Sequence, residues 1–474
     1  MAKIDLQSAL SRRRFLELSA ASAAGLAAAC GGRSGGGGGA SADYDAIVVG
    51  AGIGGLGAGH MLRTLGLRSV VLEARDRIGG RCYCDNSFPA PFDFGGQFFH
   101  QVVPNELGGT NNPLYDLFRS QGGPDVPCDL RPTFYQGGVR SPQAEQDAFL
   151  EMAVAVAAEV SAAGLAAELG GPDMSAADAT ADLVGQPWYT LTTAFMELAL
   201  DAHPTRLSCH DAWNDLKLAV NLDGSTSDRV NPGGMGNWIL QFADGLDIRL
   251  STQVTDIDTT AASRIEVVTE RGSLTAKAVI VAVPVTVLAA ERIRFTPALP
   301  DRYVAAVHDL PFGLVDKIGL AFGSNVFGDT PDNLVVTRHL DTSRFGMGLA
   351  RLAGTPMMNL IVGGDLAVEL EAGGVPAFRA YAEEFLTATY DASVAAAIDR
   401  LVVHPWGTDE WTMGSYSAAL PGKASARTTL ATPIDDRVYF AGEAVSSTAH
   451  SSLHGAYVTG QEAAMAIARN VSTT

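Results

Sequence analysis

Asp45-Ala46-Ile47-Val48-Val49-Gly50-Ala51-Gly52-Ile53-Gly54-Gly55 is the stretch from which the fold of this chain is read. The β-branched run Ile47–Val49 predicts a buried strand, and the glycines after it predict a tight turn. A helical stretch then continues through Leu65, and a second short strand, Ser69–Leu72, ends at Glu73. Strand, glycine turn, helix, strand and acid is the order of a dinucleotide-binding unit, with the acid about 20 residues beyond the glycines. Each position has a physical reason. Gly50 permits the tight turn, Gly52 lets the backbone approach a pyrophosphate, Gly54 continues the glycine run, and Gly55 allows close packing of the helix. The helix N-terminus offers unpaired N–H groups to an anion. Glu73 is placed to accept hydrogen bonds from a ribose.

The rest of the composition narrows the class. The chain has 474 residues, 47% hydrophobic and 18% charged, with a formal net charge of −19. That is a globular composition, long enough for more than one domain and a buried cofactor. Five cysteines cannot build a disulfide framework, and none of their spacings suits zinc or another metal. Cys82 and Cys84 are two apart on an expected strand, a pattern of packing more than of redox chemistry; any pairing among Cys82, Cys84, Cys128 and Cys209 stays open. An acidic surface does not displace counterions from phosphates, which argues against nucleic acid as a partner.

Residues 1–30 read as an address. Ser11-Arg12-Arg13-Arg14-Phe15-Leu16 precedes an apolar stretch, Leu18–Ala29, too short to span a bilayer. The paired arginines resemble a twin-arginine export signal. Leu26-Ala27-Ala28-Ala29-Cys30 resembles a lipoprotein cleavage box, with Cys30 as the residue acylated and hence a membrane anchor. The expected location is periplasmic or cell-envelope. Residues 31–43, glycine-rich, form a flexible linker. Residues 1–29 carry a net charge of +2, so the remainder of the chain carries −21.

The segment beyond the second strand separates flavin from nicotinamide. Glu73-Ala74-Arg75-Asp76-Arg77-Ile78-Gly79-Gly80-Arg81 resembles the second glycine motif of the flavin-containing amine oxidase family, which includes monoamine oxidases, polyamine oxidases and histone demethylases. Phe94-Gly95-Gly96-Gln97-Phe98 is similar to the family's glycine pair beside the isoalloxazine. Further similar segments are Asn231–Gly236, Val254 in Thr252–Ile257, Ala278–Pro284, Arg437–Glu443 and Ser452–Tyr457. The resemblance spans nearly the whole chain beyond the linker. It implies an α/β fold: a Rossmann-type FAD-binding domain with an inserted α+β substrate domain, the two-domain architecture of amine oxidases and glutathione reductase. The FAD-binding domain is expected over 44–125, 225–320 and 404–470, and the substrate domain over 126–224 and 321–403. Apolar residues at helical spacing in Pro142–Leu169 and Pro187–Leu200 predict substrate-domain helices.

The resemblance also implies roles. Arg75 and Arg81 would lie against FAD phosphates, Val254 would meet adenine through its backbone, and Glu443, after Gly442, would bond the ribityl chain. Gly95, Gly96 and Gln97 would sit beside the flavin ring. The helix opening with Ser452, Leu453 and Ala456 would aim its positive end at the pyrimidine. Lys317 would hold a water at flavin N5, and Tyr416 would form one wall of an aromatic cage. Ser415 stands where covalent members have cysteine, so FAD would be non-covalent; Ser452 stands where a second cage tyrosine is usual.

The implied reaction is oxidation of a monoamine or polyamine by hydride transfer from the carbon next to nitrogen to flavin N5. The resulting imine hydrolyses to an aldehyde and an amine or ammonia. Oxygen, giving hydrogen peroxide, or a redox protein reoxidises the flavin. Two alternatives stay open. One is an L-amino-acid oxidase or other FAD-dependent desaturase of the same fold, against which no arginine follows the glycine pair until Arg119. The other is a non-catalytic FAD-containing binding lipoprotein. His100 and His450 are candidates for the pocket, although a single histidine more often serves structure.

Overall fold

A computed structural model describes residues 42–104, 109–128, 131–219, 228–328, 331–338 and 342–471. The export motif, Cys30 and the glycine linker up to residue 41 lie outside the described residues. Ala42–Thr474 forms one compact unit.

The opening motif folds as expected. Strand Tyr44–Val49 is buried over five of its six residues, and the turn at Gly50 leads into helix Ile53–Thr64. Gly50 has φ +102, a conformation open mainly to glycine. Tyr44–Val49 pairs in parallel with Ser69–Leu72 on one side and with the second half of Gly272–Val281 on the other. These strands are the centre of an eight-stranded sheet. The first half of Gly272–Val281 pairs antiparallel with Ile265–Thr269, while Val279–Val281 pair in parallel with Val438–Phe440. One strand drawn from late in the chain thus completes a sheet begun at its start. Ile47, Val49, Val279 and Val281 pack into the core on one face of this sheet. Ala46, Val48 and Ile280 pack on the other, with helices Ile53–Thr64 and Leu453–Val471.

A seven-stranded sheet stands beside it, in the order Ile398–Val403, Val315–Phe322, Met357–Gly363, Gly346–Ala350, Asn333–Thr337, Thr133–Gln136 and Val139–Arg140. Val315–Phe322 carries Lys317, and its placement corrects the expected boundary at 320. It is hydrogen-bonded between Met357–Gly363 and Ile398–Val403, so it belongs to the second sheet. The backbone ladder decides this, and the chain position of a strand does not reveal its partners. Helix Gly364–Thr389 covers this sheet through Leu366, Leu370, Phe378 and Phe385.

The apolar stretches predicted as helices are Gln143–Glu168 and Tyr189–Leu200. Gln143–Glu168 is long and apolar enough to cross a membrane by length and composition. Its Phe149, Met152, Val156, Val160 and Gly164 recur every three to four residues and are buried. A Cβ on Gly164 would run into the carbonyl of Cys209, so this stripe lies directly against helix Cys209–Ala219. Of the cysteine pair, only Cys84 lies in a strand, Cys84–Asp85; Cys82, Cys84, Cys128 and Cys209 are free thiols.

Candidate active site

One cavity of about 680 Å³ opens between the carboxyl ends of the first sheet and the Lys317 face of the second. Every candidate site residue except Gly55 lines it: Gly50, Gly52, Gly54, Glu73, Arg75, Arg81, Gly95, Gly96, Gln97, Val254, Lys317, Tyr416, Gly442, Glu443, Ser452, Leu453 and Ala456. Gly55 lies behind the turn, where a Cβ would strike the Gly50 carbonyl, as close helix packing requires. A Cβ on Gly52 or Gly442 would meet nothing within 4 Å, so both backbones stand open to the cavity.

The acid at the end of the second strand organises the glycine turn. The Glu73 carboxylate accepts from Ala51 N at 2.7 Å and Arg75 N at 2.9 Å. Arg75 lines the cavity and is also ion-paired. Its two terminal nitrogens donate to the Asp409 carboxylate at 2.9 and 2.5 Å, a nearly buried ion pair, so its charge is already matched. Arg81 donates to Ser415 O at 2.7 Å and to Glu443 at 3.0 Å. Burial would raise the Glu443 carboxyl, but Arg81 and Arg427 outweigh it and hold it below the usual range.

Lys317 is buried. Its Nζ donates to Gly95 O at 2.7 Å, Gln97 Oε1 at 2.9 Å and Asp93 O at 3.2 Å. All three ammonium protons therefore have protein acceptors. Burial lowers its pKa to about 8, since a desolvated ammonium is disfavoured and Asp93 only partly offsets that. Gln97 Oε1 is shared: Asn359 Nδ2 also donates to it, at 3.0 Å. The Asp93 carboxylate accepts from Met235 N and Gly236 N at 2.7 and 2.9 Å, tying the Asn231–Gly236 turn to the same place.

Ser452 Oγ accepts from Gly455 N at 3.1 Å, capping helix Leu453–Val471, whose first turn faces the cavity through Leu453 and Ala456. Ser415 Oγ donates to Asp201 at 2.5 Å and accepts from Val315 N at 2.8 Å, giving the residue at the position of the covalent cysteine a structural use.

Two carboxylates that sequence reasoning missed join the wall, Asp215 and Asp228, next to the anticipated His100 and His450. His100 Nδ1 lies 3.2 Å from Asp228, and Gln101 Nε2 donates to Asp215 at 2.7 Å. Burial raises the Asp215 carboxyl against the pull of both histidines. Burial would lower His100, but Asp228 and Asp215 together raise it. The same cavity is also lined by the apolar side chains of Phe195, Leu198, Leu334, Met347 and Ile361. An acidic residue inside an amphipathic helix is an ordinary surface feature in sequence, so no local signal distinguished Asp215.

A family model described as flavin containing amine oxidoreductase matches residues 53–468. The chain belongs to the flavin-containing amine oxidoreductase family. Among curated relatives this amine oxidoreductase is 31% identical to polyamine oxidase 3 of Oryza sativa subsp. japonica, over 88% of each chain. It is 31% identical to polyamine oxidase 2 of Arabidopsis thaliana, over 88% of this chain and 86% of that one. Cyclohexylamine oxidase from Brevibacterium oxydans IH-35A shares its fold, with TM-score 0.72 and 24% identity over 91% of this chain and 100% of the other. A putrescine oxidase triple mutant does so with TM-score 0.71 and 20% identity, over 91% and 99%.

The protein is an FAD-dependent amine oxidase of α/β architecture. Its own residues fit that cofactor. The open backbone at Gly52 and Gly442, the N-terminus of helix Ile53–Thr64 and the arginine-bearing glycine motif lie along one cavity.

Proposed function

We propose that the substrate is an aliphatic diamine or polyamine, oxidised at a carbon next to nitrogen. The observation that carries this reading is a cavity lined both by the carboxyl groups of Asp215 and Asp228 and by apolar side chains. Methylene segments suit the apolar side chains, and a second, still protonated nitrogen suits the carboxylates. The similarity to polyamine oxidases supports the same reading. An amino-acid substrate would need a cation for its carboxylate; of the cations lining the cavity, Arg75 and Arg81 are ion-paired and Lys317 is bonded to three protein oxygens.

Bound FAD, held non-covalently in this reading, supplies the two-electron oxidation. Gly50, Gly52, Gly54 and Glu73 would hold its dinucleotide part, Arg81 and Val254 flanking it, with Gly95, Gly96, Gly442 and Glu443 along the remainder. Tyr416 walls the substrate space; burial, with Asp201 and Glu443 nearby, keeps its phenol protonated. Lys317 is the buried cation of the site and is the residue to handle protons and oxygen as the reduced cofactor is reoxidised. Its three existing bonds fix its Nζ without further help from substrate. Anaerobic mixing with putrescine, spermidine, benzylamine and L-amino acids tests the proposal. Bleaching of the yellow flavin is expected first with the di- and polyamines, and bleaching by amino acids alone would overturn it.

We further propose that the chain is exported by the twin-arginine route to the periplasm or cell envelope, with Cys30 lipidated, on the support of Arg12-Arg13 and the box ending at Cys30. Arg12→Lys with Arg13→Lys is expected to leave the protein in the cytoplasmic fraction. Unaffected export would refute this.

A further inference from the structure

Tyr416 enters the cavity wall from a segment held in place by its own backbone. Gly313 N donates to Tyr416 O at 3.2 Å and Ser415 N to Gly313 O at 3.1 Å. Those bonds place the main chain but leave the ring free to turn about its side-chain torsions. The hold on the ring comes from elsewhere, the last turn of helix Tyr189–Leu200. Tyr416 Oη donates to Ala199 O and Leu198 O, at 3.3 and 3.4 Å. Carbonyls in a helix's last turn lack intrahelical partners, so the hydroxyl meets a real need there. One residue on, the Asp201 carboxylate accepts from Tyr416 N at 3.0 Å and from Ser415 Oγ at 2.5 Å.

Asp201 ends that helix with φ 56, a left-handed conformation that glycine more commonly supplies at this point. A carboxylate side chain here therefore has a task that glycine could not perform. Asp201 is buried, and Gly313 has no room for a Cβ against it.

We infer that Asp201 is a positioning residue for Tyr416: Leu198 O and Ala199 O hold the ring through its hydroxyl, and the Asp201 side chain ties the helix end that supplies those carbonyls to the Tyr416 amide. Leu198 and Ala199 line the cavity themselves, so the grip and the wall are one piece of structure. The inference rests on the reading of Tyr416 as a surface that orients the amine. Burial, with Glu443 adding to it, raises the Asp201 carboxyl to about 8. Asparagine keeps an acceptor oxygen for the Tyr416 N–H and the Ser415 hydroxyl, which makes it the close mimic.

The test uses purified holoenzyme, with flavin content measured by absorbance and putrescine and spermidine as probes. Asp201→Ala is expected to lower kcat/KM about tenfold at full flavin content, and Asp201→Asn to stay within about twofold of wild type. In a Tyr416→Ala background, Asp201→Ala is expected to cost less than about twofold more, because the residue it acts through is gone. Wild-type kcat/KM in Asp201→Ala beside an impaired Tyr416→Ala would overturn the inference. So would the same tenfold loss in both backgrounds, or a failure of asparagine to substitute. Wild-type kcat/KM in Tyr416→Ala would instead overturn the reading of Tyr416 on which the inference stands. Should Asp201→Ala not fold, Tyr416→Phe frees only the hydroxyl end. A partial fall in kcat/KM at full flavin content then supports the grip, and wild-type behaviour overturns it.

Discussion

Asp211 and Asp215 sit one turn apart on helix Cys209–Ala219 and belong to different worlds. Asp211 is 1% exposed, and Arg427 grips both its oxygens at 2.7 and 2.8 Å. The remaining Arg427 nitrogen reaches Ser417 Oγ and Ala444 O, and Ala419 N donates to Asp211 at 2.8 Å. Burial would raise Asp211, yet Arg427 and His450 pull it far below the usual carboxylate range. Asp215 takes its side-chain bond, among the described residues, from the uncharged amide of Gln101, it lines the cavity, and burial raises it. A buried carboxylate with a bidentate partner is framework, whereas one that lines a cavity without an arginine partner is free to serve a ligand there.

The contrast can be broken at several points. Arg427→Met strands Asp211 and is expected to destabilise the fold by roughly 3–5 kcal/mol, read from urea midpoints. A loss below about 1 kcal/mol would mean that the pair is not framework. The stabilisation has a defined pH range. The folded pKa of Asp211 is depressed, so its contribution is complete above the unfolded value of about 3.9 and is lost as pH falls through the folded one. The stability gap between wild type and Asp211→Asn should therefore shrink below about pH 4.

Lys317→Met is expected to slow flavin reoxidation roughly a hundredfold or more, followed by stopped-flow absorbance. Lys317 is cationic below its pKa of about 8 and neutral above it. An ionisation near that pH in the wild-type reoxidation profile should vanish in Lys317→Met and survive in Asp201→Asn. Asp215→Asn is smaller and selective: KM for putrescine should rise about tenfold, as for loss of one charge-assisted contact, while a monoamine of similar length changes little. Equal effects on both would place Asp215 with Asp211, in the framework. The smallest effect is long-range. At net charge −19, kcat/KM for spermidine should fall modestly with ionic strength.

Legibility in the sequence divides along the same line. The glycine turn at Gly50–Gly55 and Glu73 are readable because strand, turn and helix are local and the acid that ties them is 22 residues from Ala51. The acceptors of Lys317, by contrast, lie more than 200 residues earlier in the chain, at Asp93, Gly95 and Gln97. An apolar strand predicts its burial, and family resemblance predicts its importance, but neither points to Asn359 on the other side of Gln97. The partner of Arg75 was hidden for a related reason. The arginine's motif suits phosphate, and the competing carboxylate of Asp409 arrives from 334 residues away.

By itself the sequence determined the dinucleotide-binding order of elements, the family and its cofactor, and a set of residues that one cavity gathers. These rest on short-range geometry: which φ a glycine allows, which face a strand buries, where a helix begins. Only the tertiary structure decided which charges are matched. It paired Arg75 with Asp409, Arg427 with Asp211 and His100 with Asp228, placed Asp215 on the cavity wall, and set Asp201 under Tyr416. Electrostatic and hydrogen-bond partners are chosen by distance in space, and burial sets the strength of each choice, so neither is written in the order of residues along the chain.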